Sequence, residues 1–444
     1  MKTRTRPHNI GIVSLGCAKN LIDSELLQKQ LDASKLKISF DPSSIEGLDT
    51  MIINTCGFIG DARQESVDTI LQYTKAKSEG KLRHVFVMGC LAERYREQLK
   101  NDIPEVDAFY GVNELKKIVG ELGGHYNSHL LGERMISTPS HYAYLKIAEG
   151  CDRKCSFCAI PGIRGAHISR SSADIVKEAE GLVAQGVKEI IVISQDTTYY
   201  GFDLYKRRKI AELLTELSAV NPEGWIRLHY AYPHGFPRDL TSVIRDHSNI
   251  CKYIDIPLQH ISDRILKSMK RGLSSSGTRS LIEKIRKEIP GVAIRTSFIV
   301  GYPGETEKEF RELLDFVNEA KFDRLGVFTY SHEEDTAAFK LRDTISRKVK
   351  HQRADAIMEL QERISLERNQ GMIGKTIKVL IDRKEGEYFI GRSESDSPEI
   401  DNEILIPVSG NKLKMGTFSE VSITAAESFD LYAGLPEKPG RSGK

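Results

Sequence analysis

Apolar residues early in the chain come in short runs, and each run stops at a cysteine. Residues 10–15 lead into Gly16-Cys17. Residues 49–54, centred on Met51, Ile52 and Ile53, lead into Thr55-Cys56-Gly57. Residues 84–88 lead into Gly89-Cys90. Runs of this length, bounded by glycine and polar residues, predict buried strands. Between them the apolar spacing becomes helical. One helix starts near Asn20 or Asp23 and runs through Leu31, a second carries Val67, Ile70 and Leu71, and a third covers residues 92–100. Strands alternating with helices predict a parallel sheet. Each cysteine then lies just past the carboxyl end of a strand, where open α/β sheets bind ligands.

After a loop-like stretch at residues 123–140, the alternation resumes with a longer beat. Strands are expected at residues 142–148, 188–194, 225–230, 253–256, 292–300 and 324–330. Helices are expected at 174–185 (capped by Ser171 or Ser172 and ended by Gly186), at 210–220, from about Asp263, and at 281–288 and 307–320. Six strand–helix units predict a βα barrel or most of one, with functional residues at the strand carboxyl ends. The polar groups there are Gln195 and Asp196, His229 and Tyr232, then Pro257, Gln259 and His260. Gly301, Pro303, Gly304 and Glu305 follow the fifth strand, and His332 and Glu334 the sixth. A glycine-rich turn before a helix admits a ligand close to backbone N–H groups, but it is more often only a tight βα loop. His260 and His332 could equally be structural. Cys251 precedes a strand at the end opposite the cysteine loops and reads as structural.

The character changes once more. Residues 344–370 are highly charged, with Ala354, Ile357, Met358, Leu360 and Ile364 at helical spacing, and Gly371 ends the pattern. Short alternating runs follow at 377–381, 388–392, 404–407 and 418–424, which predict a small antiparallel barrel. Three domains result: 8–125, 137–369 and 371–437. Residues 437–444 read as a disordered tail. From 371 to 436 there are seven basic and eleven acidic residues, a formal −4. A module built for RNA phosphates should be basic. This balance favours a basic protein surface as partner, against the plainer reading that the excess charge serves solubility.

Composition narrows the compartment. The net charge of +2 gives no strong field for nucleic acid. Seven cysteines, an odd number in a long chain, argue against a secreted disulfide framework. The basic segment 1–7 is followed by no apolar signal region, and no apolar run reaches the length of a membrane span. A reduced, cytoplasmic setting with no membrane partner is expected.

The chemistry concentrates at Gly150-Cys151-Asp152-Arg153-Lys154-Cys155-Ser156-Phe157-Cys158. Thiolates suit iron–sulfur clusters and zinc. Three at C-x3-C-x2-C spacing can hold three corners of a [4Fe-4S] cube and leave the fourth iron open. Zinc usually shows paired C-x2-C units, and there is no second pair. Cys17, Cys56 and Cys90 form a second trio. A cysteine after a buried strand is often just a small core side chain; three at equivalent strand ends favour a second cluster.

These residues carry a resemblance over nearly the whole chain. The C-x3-C-x2-C loop resembles the signature of radical S-adenosylmethionine enzymes. Together with the first trio, the six-unit barrel and the tail module it resembles the methylthiotransferases, whose architecture is an α/β cluster domain, a partial (βα)6 TIM-like barrel and a TRAM β-barrel. The ribosomal-protein branch is matched by 14–20 with Asp23-Ser24-Glu25, by 155–161 with Arg164-Gly165, by 193–198 and by 228–233. The tRNA-modifying branch usually reads Gly-Cys-Gln-Met-Asn where this chain has Gly16-Cys17-Ala18-Lys19-Asn20. The resemblance implies a transferase that adds a methylthio group to the β-carbon of an aspartate of small-subunit ribosomal protein S-twelve. It implies two [4Fe-4S] clusters, with S-adenosylmethionine bound at the one on Cys151, Cys155 and Cys158, where reductive cleavage yields a carbon radical. Sulfur is expected at Cys17, Cys56 and Cys90. The expected cofactor-binding positions are Gln195, Pro257, Gln259, Gly301 and Glu305. A low-potential donor such as flavodoxin or ferredoxin, and a monomer, are also expected. A tRNA methylthiotransferase is the same-chemistry alternative, and a non-catalytic iron–sulfur carrier or redox sensor the alternative of another class.

Overall fold

The computed structural model describes residues 9–130 and 132–436. The basic segment 1–7 and the tail 437–444 lie outside the described residues. The chain opens with β1 (Asn9–Ser14), α1 (Ala18–Ala33), β2 (Lys37–Phe40), β3 (Thr50–Thr55), α2 (Gly60–Ser78), β4 (His84–Gly89), α3 (Cys90–Asp102), β5 (Ala108–Tyr110) and α4 (Leu115–Glu121). The five strands form one parallel sheet in the order β2-β1-β3-β4-β5. Side chains alternate across it. Met51 and Ile53 pack with Ile70, Leu91 and Leu99 on one face, and Ile52 packs with Leu27, Leu31 and Ile118 on the other. A central strand covered on both faces needs no polar alternation, hence the unbroken apolar run. Each such isoleucine contributes about 1.5–3 kcal/mol of burial.

Next come β6 (Tyr142–Lys146), β7 (Ala148–Glu149), α5 (Ile160–Arg164), β8 (Ile168–Ser169), α6 (Ser172–Ala184), β9 (Glu189–Ile193), α7 (Phe202–Tyr205), α8 (Ile210–Val220) and β10 (Trp225–Leu228). They are followed by α9 (Leu240–Asp246), β11 (Ile250–Asp255), α10 (Asp263–Ser268), α11 (Ser275–Glu288), β12 (Ala293–Val300), α12 (Glu307–Ala320), β13 (Arg324–Thr329) and α13 (Arg347–Gln370). The six long strands form an open sheet, β13-β12-β11-β10-β9-β6, whose neighbours from β9 to β13 pair in parallel. This is the partial barrel expected from the six strand–helix units. The short β7 and β8 pair antiparallel and close the base of the cysteine loop between them.

The tail is a closed barrel of β14 (Thr376–Glu385), β15 (Tyr388–Arg392), β16 (Glu403–Pro407), β17 (Phe418–Ala426) and β18 (Asp430–Gly434), in the order β14-β15-β16-β18-β17. Closure removes free strand edges. Its fifth strand, β18, was not expected from the sequence.

The described residues pack as two compact units. One holds residues up to 138 together with 146–181 and 333–339; the other holds 139–145, 182–332 and the remainder from 340. In the second unit the tail barrel is fixed to the β6–β13 sheet. Trp225, Cys251, Tyr253 and Ala293 pack with Leu380 and Phe418, and the Trp225 and Phe418 rings meet edge-on with centroids 4.7 Å apart.

Charge reinforces that junction and corrects the reading of the tail. Arg392 binds Glu189 at 2.8 Å and Asp382 at 2.6 Å, and His141 binds Asp382 at 2.8 Å. Asp396 pairs with Arg324, Asp401 accepts from Tyr253 Oη at 2.7 Å, and Glu399 accepts from Tyr142 Oη at 2.8 Å. Much of the acidic excess therefore faces its own chain. Among the described residues from 371 on, exposed basic side chains (Lys375, Lys378, Arg383, Lys384, Lys412, Lys414) slightly outnumber exposed acidic ones (Glu385, Glu387, Glu399, Glu420, Glu427). The exposed face is nearly balanced, so the tail's formal charge does not select a basic partner.

Candidate active site

Both cysteine trios belong to the first compact unit. Cys17 is the N-cap of α1, and its carbonyl accepts from Leu21 N at 3.1 Å. Cys56 directly follows β3, and Cys90 opens α3. Two of the three thus stand at helix N-termini, where the backbone field favours a thiolate. Gly16, at φ +87°, lets the first loop close against the second: a Cβ there would lie 2.6 Å from Cys56 Cβ and 3.0 Å from its Sγ. Ser66 Oγ holds the Cys56 backbone, accepting from its N–H at 3.0 Å and donating to its carbonyl at 2.9 Å.

Burial pushes the Cys56 thiol up, and pushes Cys90 up to about 12, while the Arg164 guanidinium pulls both down. Electropositive ligands to these sulfurs would relieve that cost. The Cys90 side chain packs with Ala159 and Ile163 of the C-x3-C-x2-C region.

The second trio lies on the loop between β7 and α5. Cys151 N donates to Gly165 O at 3.0 Å, and Cys158 N to Cys155 O at 3.2 Å. Asp152 Oδ1 accepts from His167 N at 3.0 Å, and Ser156 O accepts from Ala338 N at 2.7 Å. Gly150, at φ +77°, is obligatory, because a Cβ would lie 2.0 Å from Ala166 O. All seven cysteines are thiols rather than disulfides. Among the described residues no three His, Cys, Asp or Glu side chains converge as ligands of a single metal ion. A cubane asks for a wider arrangement, since each thiolate binds a different iron. Thiols on converging, hydrogen-bonded loops fit such a group.

The five expected cofactor positions lie in the second unit, past the carboxyl ends of β9 (Gln195), β11 (Pro257, Gln259) and β12 (Gly301, Glu305). Gln259 takes φ +75°, with its N–H on Ser297 O and its carbonyl accepting from Ile299 N, both at 2.8 Å. Tyr230, after β10, takes φ +58°. Two non-glycine residues in the left-handed region at neighbouring strand ends mark a strained rim, as functional sites often do. In the sequence Tyr230 stood out only as part of the 228–233 stretch.

Glu305 faces its own turn. One oxygen accepts from Gly301 N at 2.8 Å and Tyr302 N at 3.3 Å, and the other from Arg353 at 2.7 Å. His229 meets Ser397 Oγ at 2.9 Å, His260 accepts from Ser262 N at 3.0 Å, and His332 meets Tyr330 Oη at 3.3 Å. Each of the three is engaged by a near neighbour in the same unit. Cys251 lies inside β11 rather than ahead of it, and it is buried there.

Three family models match in succession: an uncharacterized protein family, UPF0004, over residues 9–111, the radical SAM superfamily over 145–317, and the TRAM domain over 373–435. A uS12 methylthiotransferase RimO of Phocaeicola vulgatus is 53% identical over 429 residues, covering 96% of this chain and 99% of its own. The chain belongs to the RimO family. Family members from Cytophaga hutchinsonii and Flavobacterium johnsoniae are each 52% identical, over 96% and 97% of this chain and 97% and 99% of theirs. Among solved structures, the radical S-adenosylmethionine methyltransferase TsrM of Kitasatospora setae aligns with a TM-score of 0.52 at 13% identity, covering 73% of this chain and 75% of that one. The cobalamin-dependent radical enzyme OxsB aligns at 0.51, also at 13% identity, over 80% of this chain and 56% of its own. At that identity the likeness concerns the fold alone.

Proposed function

We propose that the chain is a radical S-adenosylmethionine methylthiotransferase that adds a methylthio group to the β-carbon of an aspartate of ribosomal protein uS12. The observation that carries this reading is end-to-end identity above one half with RimO proteins, in a chain that keeps both cysteine trios in one compact unit. Cys151, Cys155 and Cys158 would hold one [4Fe-4S] cluster and Cys17, Cys56 and Cys90 another. The first, with S-adenosylmethionine bound, would supply the carbon radical that an unactivated C–H bond requires, since side-chain bases shift by only a few pKa units.

The chain's own residues position and shield. Gln195, Pro257 and Gln259 line the strand ends where S-adenosylmethionine would sit, with Gln259 pre-set by its left-handed backbone. Gly301 and Glu305 shape the turn after β12, where Glu305 ties two backbone N–H groups to Arg353. Positioning and exclusion of water are what a protein contributes to radical chemistry. A low-potential protein donor such as flavodoxin or ferredoxin would reduce the site of a monomeric, cytoplasmic enzyme. Among the described residues no helix is long and apolar enough to cross a membrane.

Mass spectrometry of a strain lacking the gene tests the substrate. The account expects uS12 to lose the methylthio mass while tRNA is unchanged; loss from tRNA with intact uS12 would overturn it. The non-catalytic carrier reading predicts no reductive cleavage of S-adenosylmethionine by the anaerobically reconstituted protein, whereas the enzyme reading predicts cleavage.

A further inference from the structure

Asn20 and Arg164 join the two cysteine loops. Asn20 lies one turn past Cys17. Its Nδ2 donates to Leu15 O at 3.0 Å and to Thr55 O at 2.9 Å, carbonyls just ahead of Cys17 and Cys56. Its Oδ1 accepts from Cys90 Sγ at 3.6 Å and from Arg164 Nη2 at 2.6 Å. One amide thus ties the backbone before two cysteines to the side chain of the third, and Arg164 completes it. Arg164 comes from the other loop, at the end of α5, six residues past Cys158.

The same guanidinium also meets carboxylates on both sides, Asp23 on α1 and Glu149 ahead of its own loop. Nη1 donates to Asp23 at 3.1 Å and to both oxygens of Glu149 at 3.0 Å, and Lys146 donates to Asp23 at 2.5 Å and to Glu149 at 2.8 Å. Two cations face two carboxylates, so the bracket is balanced before any cysteine charge is added. Arg164 is only 4% exposed. Cys17, Cys56 and Cys90 all feel its charge.

We infer that Arg164 is a positioning residue for the group bound by Cys17, Cys56 and Cys90: a buried cation, delivered by the neighbouring C-x3-C-x2-C loop, that fixes the trio through Asn20 and raises the reduction potential of its cluster. The inference rests on the two-cluster reading above. A cluster gains negative charge on reduction, so a fixed cation in a low-dielectric pocket favours the reduced form. Hydrogen bonding and charge around the ligands are established levers on such potentials.

The test uses the full chain with Cys151, Cys155 and Cys158 replaced by Ala, reconstituted anaerobically with iron and sulfide, so that only the first trio binds. Arg164→Gln lowers the midpoint potential by at least a tenfold change in the reduction equilibrium at unchanged iron content, and Arg164→Lys restores most of it. An unchanged midpoint in Arg164→Gln overturns the inference. If Arg164→Gln takes up no iron, Arg164→Lys decides: iron uptake with a near-parental midpoint supports it, and loss of iron overturns it in favour of a purely steric staple. In the complementary background, with Cys17, Cys56 and Cys90 replaced by Ala, Arg164→Gln leaves the midpoint in place; a larger shift there also overturns the inference. Absence of iron from the first parent would instead contradict the cluster reading itself.

Discussion

Gly16 bears on the cluster most directly at the residue scale. A side chain there must adopt φ +87° and share space with Cys56. Gly16→Ala is expected to cost about 1–3 kcal/mol and to displace Cys17 from Cys56. Iron analysis of the reconstituted variant should find about half the wild-type content, one cluster of two. Unchanged iron would mean that the first loop tolerates opening. The six cysteines were legible in the sequence because thiolate spacing and strand ends are local signals. Arg164 was legible only as part of a motif. Its partners Asn20, Asp23 and Cys90 are far away along the chain, and no periodicity reports a contact of that kind. The strained backbone of Gln259 and Tyr230 was hidden for the same reason: it is imposed by neighbouring strands.

At the scale of elements, α12 begins with a reciprocal cap. Thr306 and Glu309 satisfy each other's backbone donors, and Glu309 also pairs with Arg264. Thr306→Ala should lower stability by about 1 kcal/mol in urea unfolding. Burial pushes the Glu309 carboxyl up, but Arg264 and the Thr306 bonds outweigh it and hold the group at about 2 against its ordinary 4.5. A depressed carboxyl contributes stability that is full above the unfolded value and is lost as pH falls through the folded one. The gap between wild type and Glu309→Gln should therefore be constant above about pH 5 and close towards pH 2; a gap independent of pH would contradict the assignment. Long elements such as α12 and β12 were readable because their periodicity repeats. The strands β2, β5 and β18, three to five residues long, were not. Pairing with a neighbour, more than local propensity, makes such segments strands.

At the scale of the whole chain, the tail shows the limit of counting charges. Its carboxylates were visible in the sequence, but their partners on β6, β11 and β13 were not. Arg392 is the centre of this junction, fully buried between Glu189 and Asp382. Arg392→Ala leaves Glu189 with Arg227 alone and Asp382 with His141 alone, and should cost about 3–5 kcal/mol. Thermal unfolding should register that loss while iron content per folded chain stays unchanged, because both trios lie in the other compact unit. The methylthiotransferase reading requires two clusters on one chain, and that requirement can be measured directly. Iron and sulfide content with Mössbauer spectra should give two [4Fe-4S] clusters in the wild type and one in the Cys17/Cys56/Cys90 triple Ala variant. A single cluster in the wild type, unaltered by the triple substitution, would contradict the account.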